Sequence, residues 1–201
     1  MNPEHRAPHS PPTAINAATG DRSPVGKVDL LTARIVGTNA KEVVMQQEPP
    51  EPRLEYLARL SVDLGTPWDV GRTSGLGDRR IFPITGGSID GPRLRGTILD
   101  NGADWQVVTP DGVSLIDTRY LLRLEDGALV YLQTRGFRHG STEVLAAVAA
   151  GEPVDPHDYF FRVYLTFETA SNTYSWLNRA MAIGSAMRLA NAVVYDAYLI
   201  N

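Results

Sequence analysis

The chain of 201 residues contains no cysteine, which excludes disulfides, thiolate nucleophiles and cysteine-ligated zinc or iron–sulfur centres. Histidine is scarce: there are four, and only His139 and His157 lie beyond residue 9. Two histidines without a compact set of carboxylates do not make a metal site, so neither a metal nor any other cofactor is expected. A basic excess is missing too, with 19 Lys and Arg against 23 Asp and Glu and a net charge of -4. Such a surface offers no footprint for phosphate backbones, and nucleic acid is not an expected partner. Long apolar runs are absent; stretches such as Val144 to Ala150 fall far short of the roughly 18 residues that span a bilayer. No membrane partner is expected, and with no apolar leader segment at the N-terminus the expected location is cytoplasmic.

What the chain does have is punctuation. Its 18 glycines and 14 prolines, with 43% hydrophobic residues, suit one domain built from many turns. The tail over 1–25 carries five prolines and almost no large apolar side chains, so it cannot offset the entropy of ordering and is expected to be disordered. Residues 26–52 form an extension that has apolar residues but neither period, and it ends in Glu48-Pro-Pro-Glu-Pro52. A strand pair, a short helix and an arm onto a partner subunit all fit it. The core domain is expected over 53–201.

Within that domain Leu57 to Leu64 alternates Ala58, Leu60, Val62 and Leu64 against Arg59, Ser61 and Asp63, the period of a half-buried strand. Trp68 to Arg80 carries Gly71, Gly75 and Gly77 and reads as a loop. No Lys-Ser/Thr pair and no helix follow these glycines, which argues against a phosphate loop. Strands are expected at Ile81–Thr85, Arg93–Leu99, Trp105–Thr109, Val113–Leu124, Ala128–Arg135, Tyr159–Thr169, Trp176–Met187 and Ala192–Ile200. One helix is expected after Ser141 as N-cap, ending at Gly151 as C′, with Pro153 and Pro156 preventing its continuation. So many strands joined by short turns suit an antiparallel up-and-down β-barrel, which leaves no sheet edge exposed. A β-sandwich is the alternative.

The turns propose a register. Asp126-Gly127 as a two-residue type I′ turn opposes Arg123 to Val130, Arg119 to Thr134 and Asp117 to Gly136. Pro110-Asp111-Gly112 as a three-residue loop with a glycine bulge opposes Val107 to Leu115 and Trp105 to Asp117. One face then gathers Val107, Val113, Leu115, Leu121, Val130 and Leu132, with Trp105, Asp117, Arg119 and Thr134 toward one end. Being the more apolar, it is the expected barrel interior. An acid and a guanidinium beside an indole at the mouth of an apolar barrel would make a small-molecule pocket. A structural ion pair on one strand face is the plainer account of Asp117 and Arg119, and core packing that of Trp105, Tyr159, Phe161 and Trp176.

Several motifs carry a family resemblance: Pro83-Ile-Thr-Gly-Gly87, Gly91-Pro-Arg-Leu-Arg-Gly96, Gly102-Ala-Asp-Trp-Gln106, Asp117-Thr-Arg-Tyr120, Asp126-Gly-Ala-Leu-Val-Tyr131, Arg135-Gly-Phe-Arg-His-Gly140, Asp158-Tyr-Phe-Phe-Arg162 and Tyr174-Ser-Trp-Leu-Asn178. In this order they resemble the domain of unknown function 3237 family, also called uncharacterised protein family 0311, over about Leu54 to Ile200. The resemblance implies a compact antiparallel β-barrel without a known cofactor, assembled as small oligomers, so a homo-oligomer, with a dimer as the first guess, is expected. It implies no single reaction; the roles suggested for members concern small organic molecules, aromatic compounds among them.

Two functions of different class fit. In the first, the protein is a cofactor-independent lyase or isomerase for a small aromatic or enone-like molecule held in the barrel mouth. Asp117 would then be general acid or base and Arg119 would orient it and stabilise oxyanion charge, with Trp105, Thr134, Arg138, Tyr159 and Trp176 binding the substrate. In the second, the barrel binds a small molecule without converting it.

Overall fold

The structure is a computed structural model and describes residues 48–201; the expectations for residues 1–25, and for residues 26–52 up to 47, lie outside the described residues. Ten strands form one antiparallel sheet: β1 (Leu54–Leu64), β2 (Trp68–Thr73), β3 (Gly77–Asp90), β4 (Arg95–Ile98), β5 (Gly102–Val108), β6 (Ser114–Leu124), β7 (Leu129–Gly140), β8 (Tyr159–Glu168), β9 (Met181–Arg188) and β10 (Ala192–Ile200). The sheet runs β1-β10-β9-β8-β7-β6-β4-β3 and returns to β1 through the β1–β3 ladder from Arg59↔Asp90 to Leu64↔Ile84. It is a closed barrel of eight strand positions. Two positions are shared: β1 and β2 pair with successive halves of β3, and β4 and β5 both bridge β3 to β6, one at each end. Closure satisfies backbone groups that an open sheet would leave at its edges.

Interior residues follow from strict alternation. On β8, Tyr159, Phe161, Val163, Leu165 and Phe167 are buried while the residues between them are exposed. On β6 the buried set is Ser114, Ile116, Thr118, Tyr120, Leu122 and Leu124, so the wall changes from polar to apolar along its length. The apolar end is filled by leucines: Leu57, Leu94, Leu122, Leu132, Leu165 and Leu177 are each at most 1% exposed. Leu177 comes from a 3₁₀ helix, Ser175–Arg179, whose Asn178 side chain accepts from the Thr169 N–H and donates to the Thr169 carbonyl. At the other end lies helix α1 (Thr142–Ala150), with the Ser141 hydroxyl accepting from the Val144 N–H and Gly151 closing it in the left-handed region at φ 76°, as the sequence indicates. Among the described residues, no helix is long and apolar enough to cross a membrane.

Three local expectations are corrected. The expected loop at Trp68–Arg80 is a β2–β3 hairpin; its glycines serve a bulge and a turn, with φ of 81° at Gly71 and 83° at Gly75, rather than flexibility. The expected strand at Trp176 starts only at Met181, because Leu177 is needed to plug the barrel end. The third correction governs the site. The β6–β7 hairpin is not a two-residue turn: Gly127 donates to Leu124 O, Leu124 donates to Ala128 O, and Gly127 has φ 86°. This is a three-residue loop with a glycine bulge, and it opposes Leu122 to Val130 and Arg123 to Leu129. One residue of slip inverts every side chain, so Val130, Leu132 and Thr134 of β7 point inward as expected, whereas on β6 it is Ile116, Thr118 and Tyr120 that do. The β5–β6 loop has the expected register, Val107↔Leu115, and β5 therefore turns with β6.

Small residues on β9 and β10 make room for the interior tyrosines. A Cβ at Gly184 would lie 2.8 Å from Val163 Cγ2 and 3.1 Å from Tyr195 Cδ2. Overpacking of this kind costs about 1–3 kcal/mol, so Gly184→Ala should lower the urea unfolding midpoint with an unchanged m-value. An unshifted midpoint would show that the Tyr195 ring does not fill this space.

Candidate functional site

The inversion of β5 and β6 brings a different acid into the barrel. Asp104 on β5 lies opposite Thr118 on β6, which lies opposite Thr134 on β7. All three line a narrow interior cavity of about 40 Å³, together with Ile84, Tyr120, Phe161, Val163 and Tyr195 among others. The β5–β6 ladder is interrupted between its Asp104↔Thr118 and Val107↔Leu115 pairs. Two side chains fill the gap: Arg79 donates to the Trp105 carbonyl, and the Asp117 N–H donates to Asp104 Oδ1 at 3.1 Å. A carboxylate enters the core here because a backbone N–H needs an acceptor.

Asp104 keeps some accessible surface, but that surface is cavity wall. Burial pushes its carboxyl up to about 6 against the opposing pull of the Asp117 N–H, the Thr118 hydroxyl and the Arg138 charge. A carboxyl in that range can both give and take a proton near neutral pH. Deeper in the barrel the Tyr120 and Tyr195 hydroxyls meet at 2.5 Å. Burial pushes both phenols up, so both stay neutral, one donating to the other and the second keeping a free O–H.

Above the cavity the barrel widens into a recess of about 540 Å³, a size suited to small organic ligands, lined by Leu64, Phe82, Gln106, Val148 and three arginines, Arg80, Arg138 and Arg188. Arg138 donates to Ser114 Oγ at 3.2 Å and lies 5.7 Å from the Phe161 ring centre. Desolvation pulls the Arg138 and Arg188 guanidiniums down from their usual value, and for Arg188 the neighbouring Arg138 charge adds to it. Leu64 lines both spaces.

The residues expected from sequence are divided by this arrangement. Thr134 lines the cavity and Arg138 the recess. Tyr159 is buried near that mouth, its hydroxyl accepting from the Arg188 N–H at 2.9 Å. Asp117, Arg119 and Trp105 stand on the outer wall, which corrects the expected interior face. There Asp117 accepts from Arg119 at 3.2 Å, Gln133 at 3.2 Å and Arg135 at 3.3 Å. Burial raises its carboxyl, and hydrogen bonds from Gln133 and Arg135 with the Arg119 charge outweigh that and hold it below the usual range. Arg119 lies 5.4 Å from the Trp105 ring centre. Trp176 belongs to the plugged end, under the Arg93 guanidinium at 3.8 Å, and does not join the site. Asp104, Thr118, Tyr120, Tyr195, Arg80 and Arg188 were missed. For Asp104, Thr118 and Tyr120 the signal was the turn at Asp126-Gly127, which fits two loop lengths; Tyr195, Arg80 and Arg188 stand on strands that this turn does not register.

The family described as "Protein of unknown function (DUF3237)" matches residues 52–200. A UPF0311 protein of Rhodopseudomonas palustris is 37% identical over 149 residues, 74% of this chain and 97% of that protein. The crystal structure of a beta-barrel like protein from Acinetobacter baumannii, 56% identical, superposes with a TM-score of 0.69 over 78% of this chain and 100% of that one. A more distant relative, a hydroalkoxylation enzyme of Penicillium herquei, is 28% identical over 70% of this chain and 78% of its own length.

The raised carboxyl has a measurable sign. Asp104 titrates near 3.8 when unfolded and near 6 when folded, so the native state holds its proton more tightly. Folding then loses stability as pH rises from about 4 to about 6 and carries the full deficit above that, about 3 kcal/mol at 1.36 kcal/mol per unit. Asp104→Asn should therefore unfold at higher denaturant than wild type at pH 8, with the advantage fading toward pH 4. An advantage that does not depend on pH would rule out the raised carboxyl.

Proposed function

Since the chain belongs to the DUF3237 family, also called UPF0311, whose name assigns no reaction, we propose from its site that it is a cofactor-independent acid/base catalyst, a lyase or isomerase acting on a small unsaturated or aromatic molecule. The observation that carries this reading is Asp104: a buried carboxyl, pushed up to about 6 by desolvation, on the wall of an apolar cavity beside two buried phenols, beneath a recess of substrate size. The Asp117 N–H gives Asp104 one structural partner, yet burying a carboxyl still costs stability, a cost that a catalytic role would account for.

The reaction type that best uses these groups is addition or elimination of an oxygen nucleophile at a carbon–carbon double bond. In an intramolecular addition the hydroxyl oxygen bonds to one alkene carbon, a proton is delivered to the other, and the hydroxyl proton replaces the one given up. The product is an isomer, and no electrons enter or leave. Protonated Asp104 supplies the proton to carbon and, as carboxylate, recovers one from the hydroxyl. One of the paired phenols spends its proton on the other, which leaves a single O–H to donate to a substrate oxygen, and the apolar wall excludes competing water. The hydroalkoxylation enzyme among the relatives supports this class of reaction, though at 28% identity it does not transfer a substrate.

The test uses alkenyl phenols with the hydroxyl placed for ring closure, followed by proton NMR in deuterated water at pH 7. Wild type should consume the alkene signals and incorporate deuterium at one carbon. Asp104→Asn should slow conversion about 10²–10⁴-fold, whereas Asp117→Asn, on the outer wall, should stay within a few-fold. Equal rates for wild type and a folded Asp104→Asn variant would remove Asp104 from the chemistry, and saturable binding without conversion would favour a ligand-binding barrel.

A further inference from the structure

The recess above Asp104 gathers more positive charge than carboxylates on its lining balance, although Arg188 also donates to the Leu189 and Ala192 carbonyls. Arg80, Arg138 and Arg188 all line it, and its lining contains no Asp or Glu among the described residues. Arg80 has one weak carboxylate partner, Asp69 at 3.9 Å. Arg138 and Arg188 have none within ion-pair distance among the described residues, and the Nε of Arg138 is buried without any hydrogen-bond partner there. Burying a guanidinium with an unused donor is costly unless something supplies the missing acceptor. Like charges gathered on one concavity raise that cost further, and the cost falls when an anion enters.

From this geometry we infer that the recess is a carboxylate seat, and that the substrate is a small organic acid whose carboxylate sits among Arg80, Arg138 and Arg188 while its apolar body enters the cavity below. The inference rests on the catalytic reading of Asp104 only for the word substrate; the seat itself stands on the arginines. Arg138 is the anchor. One of its terminal nitrogens is held by Ser114 Oγ, which fixes the plane of the fork; Nε is enclosed, so a carboxylate oxygen entering the recess meets the other terminal nitrogen. Phe82 and Phe161 lie 5.6 Å and 5.7 Å from the Arg188 and Arg138 guanidinium carbons and give an aromatic or unsaturated body apolar surface next to the charge.

A carboxylate fits better than a phosphate. Phosphate sites draw on backbone N–H groups at helix N-termini, but α1 brings Val148 and Ala149, from its C-terminal half, to this recess, where the helix dipole is negative. The seat has side-chain donors only, which match one planar charge. Asp104 also selects orientation: its carboxylate repels the acid group from the cavity floor, so the charged end stays at the mouth and the reacting carbons go down.

Titration calorimetry of the full chain at pH 8 with trans-cinnamate and its neutral isostere trans-cinnamamide tests the seat. Cinnamate should bind at least 10-fold more tightly than the amide. Arg138→Gln should reduce that preference to within about 3-fold, Arg138→Lys should restore part of it, and Arg80→Gln, at an exposed position, should reduce it less while leaving the fold untouched. Asp104→Asn should keep or strengthen the preference while slowing turnover, so failure of the seat and failure of the acid/base reading show in different measurements. The inference is overturned if cinnamate fails to bind or binds no better than the amide, if folded Arg138→Gln and Arg80→Gln variants both keep the full preference, or if inorganic phosphate binds more tightly than cinnamate.

Discussion

Gly127 occupies the left-handed region at the β6–β7 turn, and the extra residue this permits decides which half of two strands faces the barrel interior. In a closed barrel each strand has one inward and one outward face, so parity set at one turn passes to every strand registered against it. Through β6 it passes to β5, and with β5 comes Asp104. A residue with a Cβ at position 127 would be strained in that conformation, and the alternative two-residue turn would put Asp117 inside and Asp104 in solvent. The polar lining of the interior thus depends on the length of one turn some distance from it.

Along the barrel axis the interior grades from charge to hydrocarbon. Arginines stand at the mouth, a carboxyl and threonines come next, then paired phenols, then leucines sealed by Leu177. Packing at the closed end carries the stability that the polar end gives up, since a buried carboxyl and a buried guanidinium without a carboxylate partner among the described residues both oppose folding. Such a division, with rigid hydrocarbon below and strained polar groups above, is what holds a reactive group in a fixed place.

The barrel was legible because alternation is a strong local signal. Strands β1, β8 and β10 read directly from apolar residues two apart, and the Ser141 and Gly151 caps marked α1. The interior face was not, for two reasons. The dipeptide Asp126-Gly127 fits two turns that differ by one residue, and local sequence does not distinguish them. Choosing the more apolar face then misled, because the interior of β5 and β6 is where polar groups are concentrated: Asp104, Gln106, Ser114 and Thr118 look like solvent-facing residues until the cavity is seen. Thr134 faces inward because β7 kept its parity, and Arg138 lies on the same strand at the recess. Arg80 and Arg188 come from strands whose convergence at the mouth exists only in the closed fold.

Because the Asp117 N–H is held by Oδ1 of Asp104, the carboxyl cannot spin freely about its bond; one oxygen is committed to the wall while the side chain lines the cavity. A proton leaving such a group travels from one direction only. In the proposed reaction, the two faces of a planar substrate carbon would be unequal to such a group, and handedness of the product would follow from a missing rung in the hydrogen-bond ladder between two strands.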